Sequence, residues 1–207
     1  MQPVTHEDWK RWRHEGCTRL PAVLIYPGES LPCSWEGFTD SPVSALLESA
    51  QIGRFTYLCD RPDRVVFGWA DGAEICSSDG VTRLEARVGQ PLEVLMELMT
   101  EAKAPALPGW PAMTGGLIGA LGYDLVRTWE RLPQRAVRDL PLPLYAMIET
   151  RELFVYDHGQ QCLGIVVWND VRGISAGDLG ECYDAAARAG LAAHARWRAG
   201  GGRPWRV

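Results

Sequence analysis

The sequence predicts an α+β fold, largely antiparallel β-sheets with helices packed outside. Two observations lead there. Short runs rich in β-branched and aromatic residues follow one another between turn signals, first from Leu20 to Val88 and again from Leu144 to Trp168. Helical spacing of apolar residues is concentrated in stretches near the start, the middle and the end of the chain.

The elements follow in order. Thr5 and Asp8 form a Thr-x-x-Asp capping pattern for a first helix that stops near Gly16, with Trp9 and Trp12 on one face. Leu20 to Tyr26 reads as a buried strand closed by Pro27-Gly28, and residues 27–42 read as loop. Five strands are then expected: Val43 to Glu48, Arg54 to Cys59, Arg64 to Trp69, Ala73 to Ser77 and Val81 to Val88. The pairs Asp71-Gly72 and Asp79-Gly80 are hairpin signals, and a continuous meander is the simplest connection. A helix from about Gln90 to Ala104 has Pro91 near its first position, and Leu92, Leu95, Met96 and Met99 mark its expected apolar face. After a proline-rich stretch come a glycine-rich strand and a short helix carrying Val126 and Trp129. Leu144 to Asp157 and Cys162 to Trp168 then read as one hairpin around His158-Gly159. The last helix, about Asp178 to Arg198, carries Leu179, Tyr183, Ala186, Gly190, Ala193 and Trp197 on a single stripe.

Bulk properties narrow the function classes. The chain has 207 residues, 46% hydrophobic and 23% charged, which is ordinary globular composition. At this length roughly 70% of the unfolded surface can be buried without staples. A net charge of -5 and a pI near 5.4 argue against a nucleic-acid or anionic-membrane footprint. The six cysteines show no CxxC spacing and no paired histidines, so no zinc site is expected. Neither a leader pattern nor an apolar run near 18 residues is present, and the expectation is a cytoplasmic protein with reduced thiols.

Three segments carry possible chemistry. Leu46-Leu47-Glu48-Ser49, followed by Gly53-Arg54-Phe55-Thr56-Tyr57-Leu58, reads as an apolar strand ending in a carboxylate and a hydroxyl, a turn, and a second strand. Such a polar pair either binds the charged groups of a small zwitterion or merely caps backbone at a strand end. The segment Gly115 to Asp124 lacks GxGxxG spacing and a P-loop lysine, so its glycines are read as allowing close backbone approach. Asp157-His158 reads as a surface turn, and no Ser-His-Asp or Cys-His set is spaced for catalysis.

In this order, Leu-Leu-Glu-Ser, Gly-Arg-Phe-Thr, Gly-Gly-x-x-Gly-x-x-Gly-Tyr-Asp-x-x-Arg with Leu132-Pro133, and Val-Tyr-Asp-His resemble one family. It is the N-terminal region of anthranilate synthase component I and of its relative aminodeoxychorismate synthase component I, and the resemblance runs from about Leu20 to Asp170. The resemblance implies one N-terminal-type domain over residues 1–198, with 199–207 as a tail or the start of a linker. It implies a regulatory pocket for tryptophan in which Ser49 matches the effector-motif serine and Ile52, Gly53, Arg54 and Phe55 match the neighbouring lining segment. Thr56 stands where the family has a second serine, at a shorter spacing. No catalytic residue or metal ligand is assigned to this chain; magnesium belongs to a catalytic half that has no counterpart here. The implied partners are that chorismate-binding half, a glutamine amidotransferase subunit, tryptophan as effector and a possible second copy. Leu117, Leu121, Leu153 and Val155 are the expected apolar face toward such partners. A free-standing aromatic-amino-acid-binding or interaction module is the alternative left open.

Overall fold

The computed structural model describes residues 1–32, 35, 43–48, 53–86, 90–133 and 140–199. The chain divides into two compact units. One comprises Met1–Pro62, Ala102–Gly116 and Thr150–Val207; the other comprises Asp63–Glu101 and Leu117–Glu149. In chain order the strands are β1 (Arg19–Pro27), β2 (Ala45–Leu47), β3 (Phe55–Asp60), β4 (Arg64–Trp69), β5 (Gly72–Ser77), β6 (Gly80–Glu85), β7 (Leu117–Leu121), β8 (Tyr145–Glu149), β9 (Glu152–Asp157) and β10 (Cys162–Asp170). The helices are α1 (His6–His14), α2 (Glu93–Glu101) and α3 (Leu179–Ala199), with a 3-10 helix over Tyr123–Thr128.

The first unit is built on an antiparallel sheet in the order β1-β10-β9-β3-β2. β9 and most of β10 are buried throughout, as central strands must be. Helix α1 begins at the expected capping box: the Thr5 hydroxyl accepts from the Asp8 N–H, and the Thr5 N–H donates to the Asp8 carboxylate at 2.9 Å. Trp9 and Trp12 are buried, and Trp9 Nε1 donates to the Pro21 carbonyl at 2.7 Å. Thr5→Ala should therefore cost about 0.5–2 kcal/mol in urea unfolding. No measurable change would mean that tertiary packing alone holds this helix start.

Helix α3 packs on β1 and β10 through the stripe read from the sequence: Leu179, Ala186, Gly190, Ala193 and Trp197 are buried. Gly190 sits where a Cβ would come 2.1 Å from Leu24 Cδ1, so a larger residue there would require the Leu24 side chain to move. The rings of Phe154 and Tyr156 on β9 stack against Trp197, with centroids 5.5 Å and 6.2 Å away. Even-numbered β9 residues thus face α3, and their β3 partners Thr56, Leu58 and Asp60 share that side.

The second unit has its own antiparallel sheet, β6-β5-β4-β8-β7. Its core joins Val66, Ala73, Ile75, Leu144 and Tyr145 to Val94, Leu95 and Leu98 of α2 and to Leu125. Both expected hairpins form: Trp69 pairs with Gly72 and Ser77 with Gly80. Gly119 lies where a Cβ would meet the Ala146 carbonyl at 2.0 Å, in keeping with close backbone approach as the role of the glycine-rich segment.

Four expectations change. The meander is broken, because the chain leaves the first sheet after β3 through Arg61, at φ +48°, and enters the second at β4. The run from Leu144 to Asp157 is two strands in different sheets. Thr150 interrupts it by donating its N–H to the Gly116 carbonyl while its hydroxyl accepts from the Gly116 N–H. On α2 the buried residues are Val94, Leu95 and Leu98, and Met96 and Met99 are 67% and 66% exposed. Leu153 and Val155 are fully buried, so they form no open face, whereas Leu121 is 58% exposed. The described cysteines Cys17, Cys59, Cys76, Cys162 and Cys182 are free thiols. No helix among the described residues is long and apolar enough to cross a membrane.

Candidate functional site

β2 and β3 meet as an antiparallel pair in which Leu47 lies opposite Tyr57. β2 is only three residues long and forms the edge of its sheet. Leu46 and Leu47 are exposed there, in place of the buried strand end expected from their apolar character. Alternation along β3 puts Phe55 and Tyr57 on one side of the sheet and Thr56 on the other. The side of Phe55 and Tyr57 opens onto a cavity of about 370 Å³ lined by Leu47, Glu48, Gly53, Arg54, Phe55 and Tyr57. The wall is therefore aliphatic and aromatic, with one carboxylate and one guanidinium in it. Burial raises the Tyr57 phenol above its ordinary value.

Gly53, Arg54 and Phe55, predicted as pocket residues, are thus brought together. Ser49 and Ile52 lie outside the described residues. Thr56 is not part of this cavity. It is buried, and its hydroxyl lies 2.8 Å from His158 Nε2, on the α3 side of the sheet.

Arg54 is fixed by a residue that the sequence reading left as a surface turn. Its Nε donates to both oxygens of Asp157, at 3.0 and 3.1 Å, and its Nη2 donates to Oδ2 at 2.7 Å. Asp157 also accepts the backbone N–H groups of Gly159 and Gln160 at 2.9 and 3.1 Å. The Arg54 guanidinium, with those N–H groups, holds the Asp157 carboxyl below its ordinary range against the opposing effect of burial. The Arg54 backbone carbonyl accepts from the His158 N–H, so the β9–β10 turn braces the residue twice. The guanidinium carbon stands 5.1 Å from the Phe55 ring centroid. Tyr57 could have been added to the predicted lining from strand alternation, and Leu47 from its place opposite Tyr57, whereas Glu48, one position past the end of β2, follows from neither. Asp157 could not have been added either, because its partnership crosses from β9 to the start of β3. Among the described residues no group of three or more His, Cys, Asp or Glu side chains is placed to hold a metal ion.

No family model matches the chain. The curated relatives are consistent with one another. Anthranilate synthase component 1 of Acetivibrio thermocellus is 33% identical over 160 residues, covering 74% of this chain and 32% of the relative. The protein of the same name from Mycobacterium tuberculosis (strain ATCC 25618 / H37Rv) is 37% identical over 144 residues, covering 62% and 27%. That of Synechocystis sp. is 28% identical over 179 residues, covering 77% and 35%. A crystal structure of anthranilate synthase component I from Streptococcus pneumoniae TIGR4 aligns over 70% of this chain and 31% of that one, with a TM-score of 0.49 and 20% identity. The class is an α+β protein with two antiparallel five-stranded sheets. The chain is homologous to the N-terminal part of anthranilate synthase component I. It spans about a third of the length of the curated relatives it matches.

Proposed function

We propose that this chain is the non-catalytic N-terminal part of a component I synthase of the anthranilate branch. It buttresses a chorismate-binding catalytic half, carries part of a tryptophan effector site and helps dock a glutamine amidotransferase. The observation that carries the reading is the match over 160 residues to a third of an anthranilate synthase component 1. That name on the matched relatives supports the anthranilate branch over the aminodeoxychorismate one. The effector role rests on the β2–β3 cavity. Phe55, Tyr57 and Leu47 offer an indole apolar contact, and Glu48 and Arg54 offer the two charges that a zwitterion needs. Magnesium, which would act in the catalytic half, has no role assigned to these residues.

Given chorismate, magnesium and ammonia, the chain alone should form no anthranilate. Turnover that survives repurification and disappears on a point mutation in this chain would overturn the non-catalytic assignment. Tryptophan titration of the wild type and of Ser49→Ala, with the catalytic half present, tests the effector role. Loss of one hydrogen bond should weaken binding by about 0.5–1.5 kcal/mol, roughly a threefold to tenfold rise in Kd. An unchanged Kd would remove Ser49 from the effector site.

A further inference from the structure

We propose that the groove between α2 and the 3-10 helix, within the second unit, is a docking surface for a cationic amphipathic helix of a partner protein. The proposal is independent of the effector cavity, which lies in the first unit.

The groove holds about 740 Å³, and its lining includes Leu92, Glu93, Met96, Glu97 and Thr100 on the α2 side and Trp129 at the end of the 3-10 helix. Trp129 is as exposed as Met96, and Met99 stands open one turn along from Met96. Methionine adapts its shape to a partner, and tryptophan is enriched among the residues that dominate binding energy, so these side chains compose an interface. The charge at the groove has one sign. Glu93 and Glu97 lie four residues apart, and no lysine, arginine or histidine is among the described lining residues. Like charges at that spacing work against a helix, and Glu101 adds a carboxylate to a last turn that has no basic residue. A cation seated beside Glu97 relieves that local repulsion, so the complementary partner is basic. The walls also decide its form. No sheet edge is among the described lining residues, so an extended peptide finds no ladder to join. The two threonine hydroxyls are engaged inside the chain, Thr100 donating to the Met96 carbonyl at 2.7 Å and Thr128 to the Leu125 carbonyl at 2.8 Å. Few donors remain to orient a small ligand, whereas a helix brings a backbone already satisfied. From Glu93 to Thr100 the wall rises about 11 Å, which places the partner's anchors at i, i+3 or i+4, and i+7.

Fluorescence anisotropy with three labelled peptides reads the docking: an amphipathic leucine–lysine helix, its leucine–glutamate counterpart, and the leucine–lysine peptide broken by a central proline. At about 0.15 M salt, where distant surface charges are screened, the wild type should bind the first about tenfold more tightly than either of the others. Met96→Ala and Trp129→Ala, both at exposed positions where the fold is not at risk, should each weaken binding by about fivefold or more. Glu97→Lys should weaken it by about tenfold. Glu181→Lys makes the same change of net charge at an exposed site on α3 and should leave binding within about twofold. Failure of the wild type to bind the helical peptide would overturn the proposal. So would equal losses in the two lysine variants, which would reduce the effect to the chain's overall negative charge, or equal binding of the proline-broken peptide. A dimer of the chain alone that Met96→Glu dissolves in sedimentation would make a second copy the occupant and overturn it too.

Discussion

Replacing Arg196 with methionine should destabilise the first unit by about 3–5 kcal/mol near neutral pH, the usual consequence of stripping the partner from a buried charge. Asp60 and Glu152 sit directly opposite each other on β3 and β9, both buried, an arrangement of like charges that opposes strand pairing. Arg196 of α3 resolves it: its Nη2 donates to Glu152 and lies 3.6 Å from Asp60. Burial raises the Glu152 carboxyl above 4.5 despite the lowering pull of Arg196 and Arg61 and with a further push from Asp60. A carboxyl with a raised folded value favours folding below its unfolded value and loses that contribution as pH climbs through the folded one. Without Arg196 the raised value rises further, so the deficit relative to wild type should be small near pH 4 and largest at pH 7 and above. Urea unfolding of both proteins at the two pH values checks this. A deficit that is the same at both would sink the charge account and leave only lost packing of the arginine stem.

Trp197→Ala is expected to cost about 3–5 kcal/mol, the range for removing a large aromatic from a packed interior. The indole is 3% exposed and stacks on Phe154 and Tyr156, while Nε1 donates to the Ser30 carbonyl at 3.0 Å. Truncation would open a void between α3 and the sheet and would orphan that carbonyl. Trp197→Phe should recover part of the loss by refilling the void without the hydrogen bond. A cost under about 1 kcal/mol for the alanine variant would mean that the helix re-seats on β9 and that this contact is not what secures its C-terminal end.

Local rules carried much of this fold into view. The capping box at Thr5, the hairpins at Asp71-Gly72 and Asp79-Gly80 and the α3 stripe depend on residues within a few positions of one another, and all stand where the pattern put them. The allocation of strands to sheets did not show. The run Leu144 to Asp157 is apolar on both sides of Thr150, and only the distant Gly116 reveals the break. The α2 face was misread because Met96 and Met99 count as apolar by composition, though the helix turns Val94 and Leu98 inward. At the cavity, contiguity alone groups Gly53 to Phe55, and alternation explains why Thr56 is elsewhere. Asp157 was missed for a physical reason: a carboxylate beside a turn looks solvated until its guanidinium partner, far away in sequence, is known.

The pairing of β1 with β10 also sets a timetable for synthesis. Leu20 lies opposite Asn169, so the first strand leaves the ribosome long before its neighbour exists. At about 5–20 residues per second the delay is on the order of ten seconds or more. The second unit's sheet is complete once Glu149 has emerged, whereas the first still lacks β9 and β10, which join β1 to β3. The nascent chain thus carries one finished module and one open apolar strand, and that strand is where chaperone dependence and misassembly of this protein should concentrate.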